Sequence, residues 1–210
     1  LNGKILRVTA TGRPAPGNPF TGEGTARCAR RGNTPSTPTT ICQEIFAYGL
    51  RNPYRFVMDP AAPGTRFFVN DVGQGTYEEV NRGRAGANYG WPMRGGRCPQ
   101  GDTPPCPRGS KALTGPIEAY GRDLGQYVTG GAFVPVGSWP DSYEGGYLFG
   151  DGGSGTVWFR DRAGDVDWDA PFATGLSQLS DMVAVRRPNG TVNVFYTLSS
   201  GQVGRITARR

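Results

Sequence analysis

The chain has 210 residues, 36% of them hydrophobic and 11% aromatic, with a net charge of +6. That apolar share is enough to bury a core and excludes a disordered chain, while the 34 glycines and 18 prolines punctuate short apolar runs at many places, the grammar of turns between short strands. No apolar stretch approaches the roughly 18 residues of a membrane-spanning helix, no long amphipathic helix is visible, and Leu1-Asn2-Gly3-Lys4 is not a signal peptide.

In chain order, Gly3-Lys4-Ile5-Leu6-Arg7-Val8 reads as the first strand, with a Gly-x-aliphatic-x-Arg pattern that resembles the last strand, Gly201-Gln202-Val203-Gly204-Arg205-Ile206. Arg27, Arg30 and Arg31 form the one basic cluster, in a Pro/Thr/Gly-rich loop. No groove-reading helix or aromatic-basic motif accompanies it, so the positive charge reads as a solubilising surface and nucleic acid is not an expected partner. Four cysteines fall in two close pairs, Cys28 with Cys42 and Cys98 with Cys106. The spacings are too long for a zinc site and the chain has no histidine, so two local disulfides are expected, in the oxidising, secreted or periplasmic setting that disulfides imply.

Ala47-Tyr48-Gly49-Leu50-Arg51-Asn52-Pro53-Tyr54-Arg55-Phe56 places two polar side chains just before a strand, and the proline holds Asn52 in extended geometry. On spacing alone, two readings stand: Arg51 and Asn52 bind a ligand, or they bond loop carbonyls and close a turn. Downstream, Arg55 to Asp59, a Pro/Gly turn and Arg66 to Asp71 read as strand, turn, strand. The same grammar returns at Tyr147 to Asp151 with Gly155 to Arg160, and at Met182 to Val185 with Val192 to Tyr196 across the Asn189-Gly190 hairpin turn. Asn189-Gly190-Thr191 is also a formal glycosylation acceptor. Val69, Leu148 and Phe195 hold equivalent places, spaced by two units and one unit of roughly the 40 to 50 residues of a propeller blade. The expected fold is therefore an all-β propeller over residues 1–210, whose inner-strand loops face one central mouth.

Several motifs together carry a resemblance. They are Gly3 to Arg7, Glu44 to Pro53, Asn70-Asp71-Val72-Gly73-Gln74, Tyr77 to Asn81, Gly86 to Pro92, Val128 to Gly131 and Tyr147 to Asp151. In this order they resemble the glucose/sorbosone dehydrogenase family, six-bladed β-propellers typified by soluble pyrroloquinoline quinone (PQQ) sugar dehydrogenases. The resemblance implies oxidation of a sugar hydroxyl by hydride transfer to PQQ. It implies that Arg51 and Asn52 lie beside the quinone, and that the carbonyls of Gly73 and Gln74 hold a Ca2+ ion bridging to it. A second calcium maps to Glu79 and to the main chain of Tyr89; on the residues alone, Glu78-Glu79 could equally be a solvated acidic pair, with Tyr89 and Trp91 as packing aromatics. Trp91 is expected to pack.

Against the family pattern, the chain looks like roughly the last four blades of the six, which leaves two expectations: a truncated or cleaved product, or an N-terminal partner segment that completes the ring. The family's histidine base lies upstream of the first strand and is not supplied here. Where the family places a lysine and two arginines on the last blades, this chain reads Gly150-Asp151-Gly152-Gly153 and Leu176 to Asp181. That leaves an alternative to the sugar dehydrogenase: a propeller without cofactor that binds a glycan or a protein at the same mouth, with Tyr120, Tyr127 and Trp139 as candidate stacking rings. A purely structural ring is the third possibility.

Overall fold

The computed structural model describes residues 2–28, 40–106, 112–137 and 139–208. Arg30 and Arg31 of the basic cluster lie outside the described residues, and Arg27 faces the Glu44 carboxylate at 3.9 Å. The strands in chain order are β1 (Lys4–Leu6), β2 (Thr25–Ala26), β3 (Ile41–Cys42), β4 (Ile45–Tyr48), β5 (Pro53–Met58), β6 (Phe67–Asp71), β7 (Tyr77–Arg82) and β8 (Arg94–Gly95). They continue with β9 (Cys98–Pro99), β10 (Glu118–Gly121), β11 (Val128–Phe133), β12 (Tyr147–Asp151), β13 (Val157–Arg160), β14 (Leu179–Arg186), β15 (Val192–Leu198) and β16 (Val203–Thr207). Among the described residues the helical content is a single 3-10 turn, Asp141–Tyr143.

Four antiparallel sheets follow one another: β1 with β4, then β5-β6-β7-β10, then β11-β12-β13, then β14-β15-β16. In the second sheet the fourth strand leads straight into the first strand of the next, and β4 leads into β5 in the same way. The first sheet therefore consists of a third and a fourth strand, and the Gly-x-aliphatic-x-Arg strand is third in its sheet. Isolated bridges from Val157 to Ala173 and from Arg160 to Val166 extend the third sheet.

The radial stacking is written into the middle strands. Successive side chains of a strand point to opposite faces, so a strand buried on both faces reads as a continuous apolar run. In β6, Phe67 and Val69 join Phe46, Ala47 and Leu50 in the core between the first two sheets, while Phe68 joins the core between the second and third. In β12, Tyr147 and Phe149 face that second core, and Leu148 faces a third one, with Met182 and Val194 of the last sheet. Three cores between four sheets make an open arc of a propeller, with β5, β11 and β14 as its inner strands.

Gly130 lets the inner strands β11 and β14 meet, and Gly131 makes room for the Tyr147 side chain of the middle strand β12. A Cβ on Gly130 would lie 2.8 Å from the Asp181 carbonyl carbon, and one on Gly131 would lie 2.0 Å from the Tyr147 hydroxyl. Both cysteine pairs are disulfides, Cys28–Cys42 beside the β2/β3 pair and Cys98–Cys106 tying the segment after β9 back to that strand. The Asn189-Gly190 turn joins β14 to β15 with Gly190 at φ +82, as its sequence expects.

Candidate functional site

Asp71, the last residue of β6, organises the start of β5. Its Oδ2 accepts from the Arg51 backbone N–H at 2.9 Å and its Oδ1 from that of Asn52 at 2.6 Å. With its backbone tied down, Arg51 turns its guanidinium along the mouth, where Nη1 donates to the carbonyls of Val72 at 3.1 Å and Gly73 at 2.9 Å. Asn52 is exposed beside it. Burial lifts Asp71 to about 6, against the pull of its two backbone donors and the Arg51 charge.

A cavity of about 10 Å³ opens next to this pair, bordered by Arg51, Asp71, Gly73, Gln74, Glu79 and Tyr89. That volume suits one water molecule or one small ion. Glu79 is held there by the Gly96 N–H at 2.6 Å and the Asn81 side-chain amide at 2.9 Å. Burial first, and then the nearby Asp71 charge, push its carboxyl up to about 7. The Asn81 Oδ1 is buried without a hydrogen-bond partner. No donor among the described residues reaches the carbonyls of Gln74 or Tyr89. The Tyr89 ring is buried, its hydroxyl donating to the Arg82 carbonyl at 2.5 Å. Two buried carboxyls and residues whose carbonyls meet no donor among the described residues border the cavity, an oxygen-rich lining that fits a hard cation such as calcium.

A second network surrounds the Gly73 turn. Glu78, fully buried, pairs with Arg122 at 2.7 Å and accepts from the backbone N–H of Gly73 at 3.3 Å and of Val128 at 2.9 Å. Desolvation lifts it to about 7 against these partners. One blade further on, Asp151 repeats the role of Asp71 at the end of β12. Its Oδ2 accepts from Gln126 N, Tyr127 N and the Tyr120 hydroxyl, each at 2.8 Å, and its Oδ1 from Gly153 N and Ser154 N.

The structure thus brings Arg51, Gly73, Gln74, Glu79 and Tyr89 to one cavity, whereas Asn52 is exposed and does not border it. Glu78 and Glu79 are buried, and a solvated acidic pair does not describe them. Trp91, expected to pack, is half-buried and borders the same cavity. Of the candidate stacking rings, Tyr120 and Trp139 are buried, with the Trp139 indole N–H on the Val192 carbonyl; only Tyr127 is open, 36% exposed. Sequence points to Asp71, Glu78 and Asp151 only as members of motifs or of an acidic pair, without these contacts, and gives Arg122 no role, although Asn70-Asp71 and Gly150-Asp151 close equivalent strands. In the segment from Leu176 to Asp181, Gln178 is the one non-glycine residue with positive φ among the described residues, and Asp181 pairs with Arg55 at 3.2 Å.

The profile of the glucose/sorbosone dehydrogenase family matches residues 1–150. The HIPL2 protein of Arabidopsis thaliana is 33% identical over 178 residues, covering 76% of this chain and 25% of that protein. Aldose sugar dehydrogenase YliI of Escherichia coli is 33% identical over 93 residues, 44% of this chain and 20% of that one. The PQQ-bound aldose sugar dehydrogenase of Streptomyces coelicolor superposes with a TM-score of 0.63 at 25% identity over 94% of this chain and 46% of its own. The apo form of the soluble aldose sugar dehydrogenase of E. coli gives 0.70 at 24% identity, over 99% and 55%. The chain therefore spans a quarter or less of these curated relatives and about half of the solved chains.

Proposed function

Because the chain belongs to the glucose/sorbosone dehydrogenase family, we propose that it forms the later blades of a six-bladed PQQ-dependent sugar dehydrogenase, which oxidises a sugar hydroxyl. The observation that supports this reading is that Arg51, Asp71, Gly73, Gln74 and Glu79 border one ion-sized cavity, with the Arg51 guanidinium on the Gly73 carbonyl. Bound there, PQQ supplies a two-electron acceptor for the hydride. Arg51 holds an oxygen of the quinone and offsets negative charge with a guanidinium already fixed in place, which costs no reorganisation during the reaction. Asn52, exposed beside Arg51, adds a hydrogen bond. Gly73 and Gln74 would hold one calcium through their carbonyls; Glu79 and Tyr89, which the resemblance assigns to a second calcium, border the same cavity and would offer a carboxylate and a main-chain oxygen. Among the mouth arginines, Arg55 and Arg122 pair with Asp181 and Glu78, whereas Arg51 and Arg94, which border the cavity, form no ion pair among the described residues.

This chain contributes no histidine, so the histidine base that the family resemblance implies would have to come from a blade outside these residues. Such blades also account for the exposed apolar faces of β5 and β14. Two formed disulfides support a secreted or periplasmic setting.

The half-exposed Tyr127, beside a saturated Asp151, favours one second reading, a mouth that binds a glycan without cofactor. Titrating PQQ with and without Ca2+ into the complete protein, followed by quinone absorbance and by dye reduction with aldoses, separates the two. Calcium-dependent binding that Arg51→Ala weakens at least about tenfold is the expected result. Glycan binding with no quinone binding would replace this reading with the second.

A further inference from the structure

We infer that Glu78 and Arg122 are positioning residues that keep the turn from Gly73 to Gly75 in the shape its carbonyls need to hold a cation. The inference rests on the assignment of those carbonyls to an ion.

A turn flanked by two glycines does not order itself, since glycine has more conformational freedom to lose than any other residue. Here it is held from outside. Arg51 takes the Val72 and Gly73 carbonyls, Glu78 takes the Gly73 N–H, and Arg122 Nε donates to the Gly75 carbonyl at 2.8 Å. The turn is also pressed onto β7, because a Cβ at Gly73 would lie 1.6 Å from the Tyr77 carbonyl oxygen. Between two fixed neighbours, the Gln74 carbonyl has no donor among the described residues.

The same pair reaches the next blade. Glu78 accepts from Val128 N at 2.9 Å, and Arg122 donates to the Gln126 carbonyl as well as to Gly75. The turn is therefore locked to the start of β11, and its shape depends on how two blades sit together. Alternation along β7 also separates the two adjacent glutamates. Glu78 spends its charge on Arg122, whereas Glu79 faces the cavity and meets no cationic side chain among the described residues. Arg122 thus settles which glutamate is offered to the ion.

The test compares wild type, Arg122→Met, Arg122→Lys and Glu78→Gln in the complete protein. Terbium luminescence serves as the calcium probe, amide exchange reports on residues 72–76, and thermal unfolding reports on the fold. Loss of a group that orients ligand atoms weakens metal binding by about 10- to 100-fold. The expected result is that loss for Arg122→Met, with faster exchange confined to the turn and partial recovery in Arg122→Lys. A general packing role predicts lower thermal stability with unchanged terbium affinity, which would overturn the inference and leave the ion site standing. A wild type that binds no terbium would overturn the ion assignment and the inference together. Should Arg122→Met not fold, Arg122→Lys and Glu78→Gln with wild-type affinity and exchange would equally overturn it.

Discussion

Asp151 accepts five hydrogen bonds, four of them from backbone N–H groups in two separate loops, and has no solvent exposure. An amide at this position would turn an NH2 towards donors it cannot pair with. Asp151→Asn is therefore expected to cost about 3–5 kcal/mol in urea unfolding, as when a buried charged partner is removed. Tyr120→Phe removes one of the five donors and is expected to cost only about 1 kcal/mol. Near-equal losses would mean that the backbone contacts contribute little. Asp71, Glu78 and Glu79 give a pH signature with a definite sign. Their folded pKa values of about 6, 7 and 7 lie above the ordinary 3.8 and 4.5, so the folded chain holds these protons more tightly than the unfolded chain does. Arg51 opposes the rise at Asp71, Arg122 opposes it at Glu78, and Asp71 reinforces it at Glu79. Stability from this cluster is full below about pH 4 and is lost as pH rises through about 7, at roughly 1.4 kcal/mol per group for each pH unit crossed. Urea unfolding in chelator from pH 4.5 to 7.5 checks it. Added calcium, which favours the ionised carboxylates, should flatten the slope.

At the scale of strands, the inner strand β11 depends on its glycines. Gly130→Ala would drive a methyl into the backbone of β14, and the overpacking is expected to cost about 1–3 kcal/mol by thermal unfolding. Removing the Cys98–Cys106 bridge with paired serines should cost about 2–3 kcal/mol and also weaken terbium binding, because the bridge anchors β9 of the hairpin whose Gly96 N–H donates to Glu79. The same change at Cys28–Cys42 should lower stability alone. The middle strands were the most legible in sequence: Phe67-Phe68-Val69 and Tyr147-Leu148-Phe149 read as strands because both faces are buried. Glu118-Ala119-Tyr120-Gly121 carries no such run, and β10 exists because β7 offers it an edge. The two-residue pairs β2/β3 and β8/β9 are likewise set by the disulfides next to them, not by their own pattern. At the site, Arg51-Asn52-Pro53 and Val72-Gly73-Gln74 stand out locally or by resemblance. The pairing of Glu78 with Arg122 does not, since the two meet only after β10 has aligned on β7 and the chain has turned into β11.

At the scale of the molecule, the arc has two unpartnered sides. Tyr54, Phe56 and Met58 alternate along β5 and are exposed by 38%, 57% and 47%, and Val183 and Val185 do the same on β14 at 54% and 40%. Alternate apolar residues at the inner strands of stacked sheets are interface positions left open, and surfaces of this kind associate. The proposed closure by further blades makes a differential prediction. In the 210-residue chain alone, Phe56→Ala should change stability by less than about 1 kcal/mol, because the ring is already in water on one side. In the complete protein the same change should cost about 3–5 kcal/mol, the usual loss for a buried phenylalanine. The isolated chain should also bind a hydrophobic dye and associate with rising concentration in sedimentation, and lysines at Phe56 and Val183 should suppress both. Equal costs for Phe56→Ala in the two forms would mean that this face stays open in the complete protein and that the ring does not close across β5.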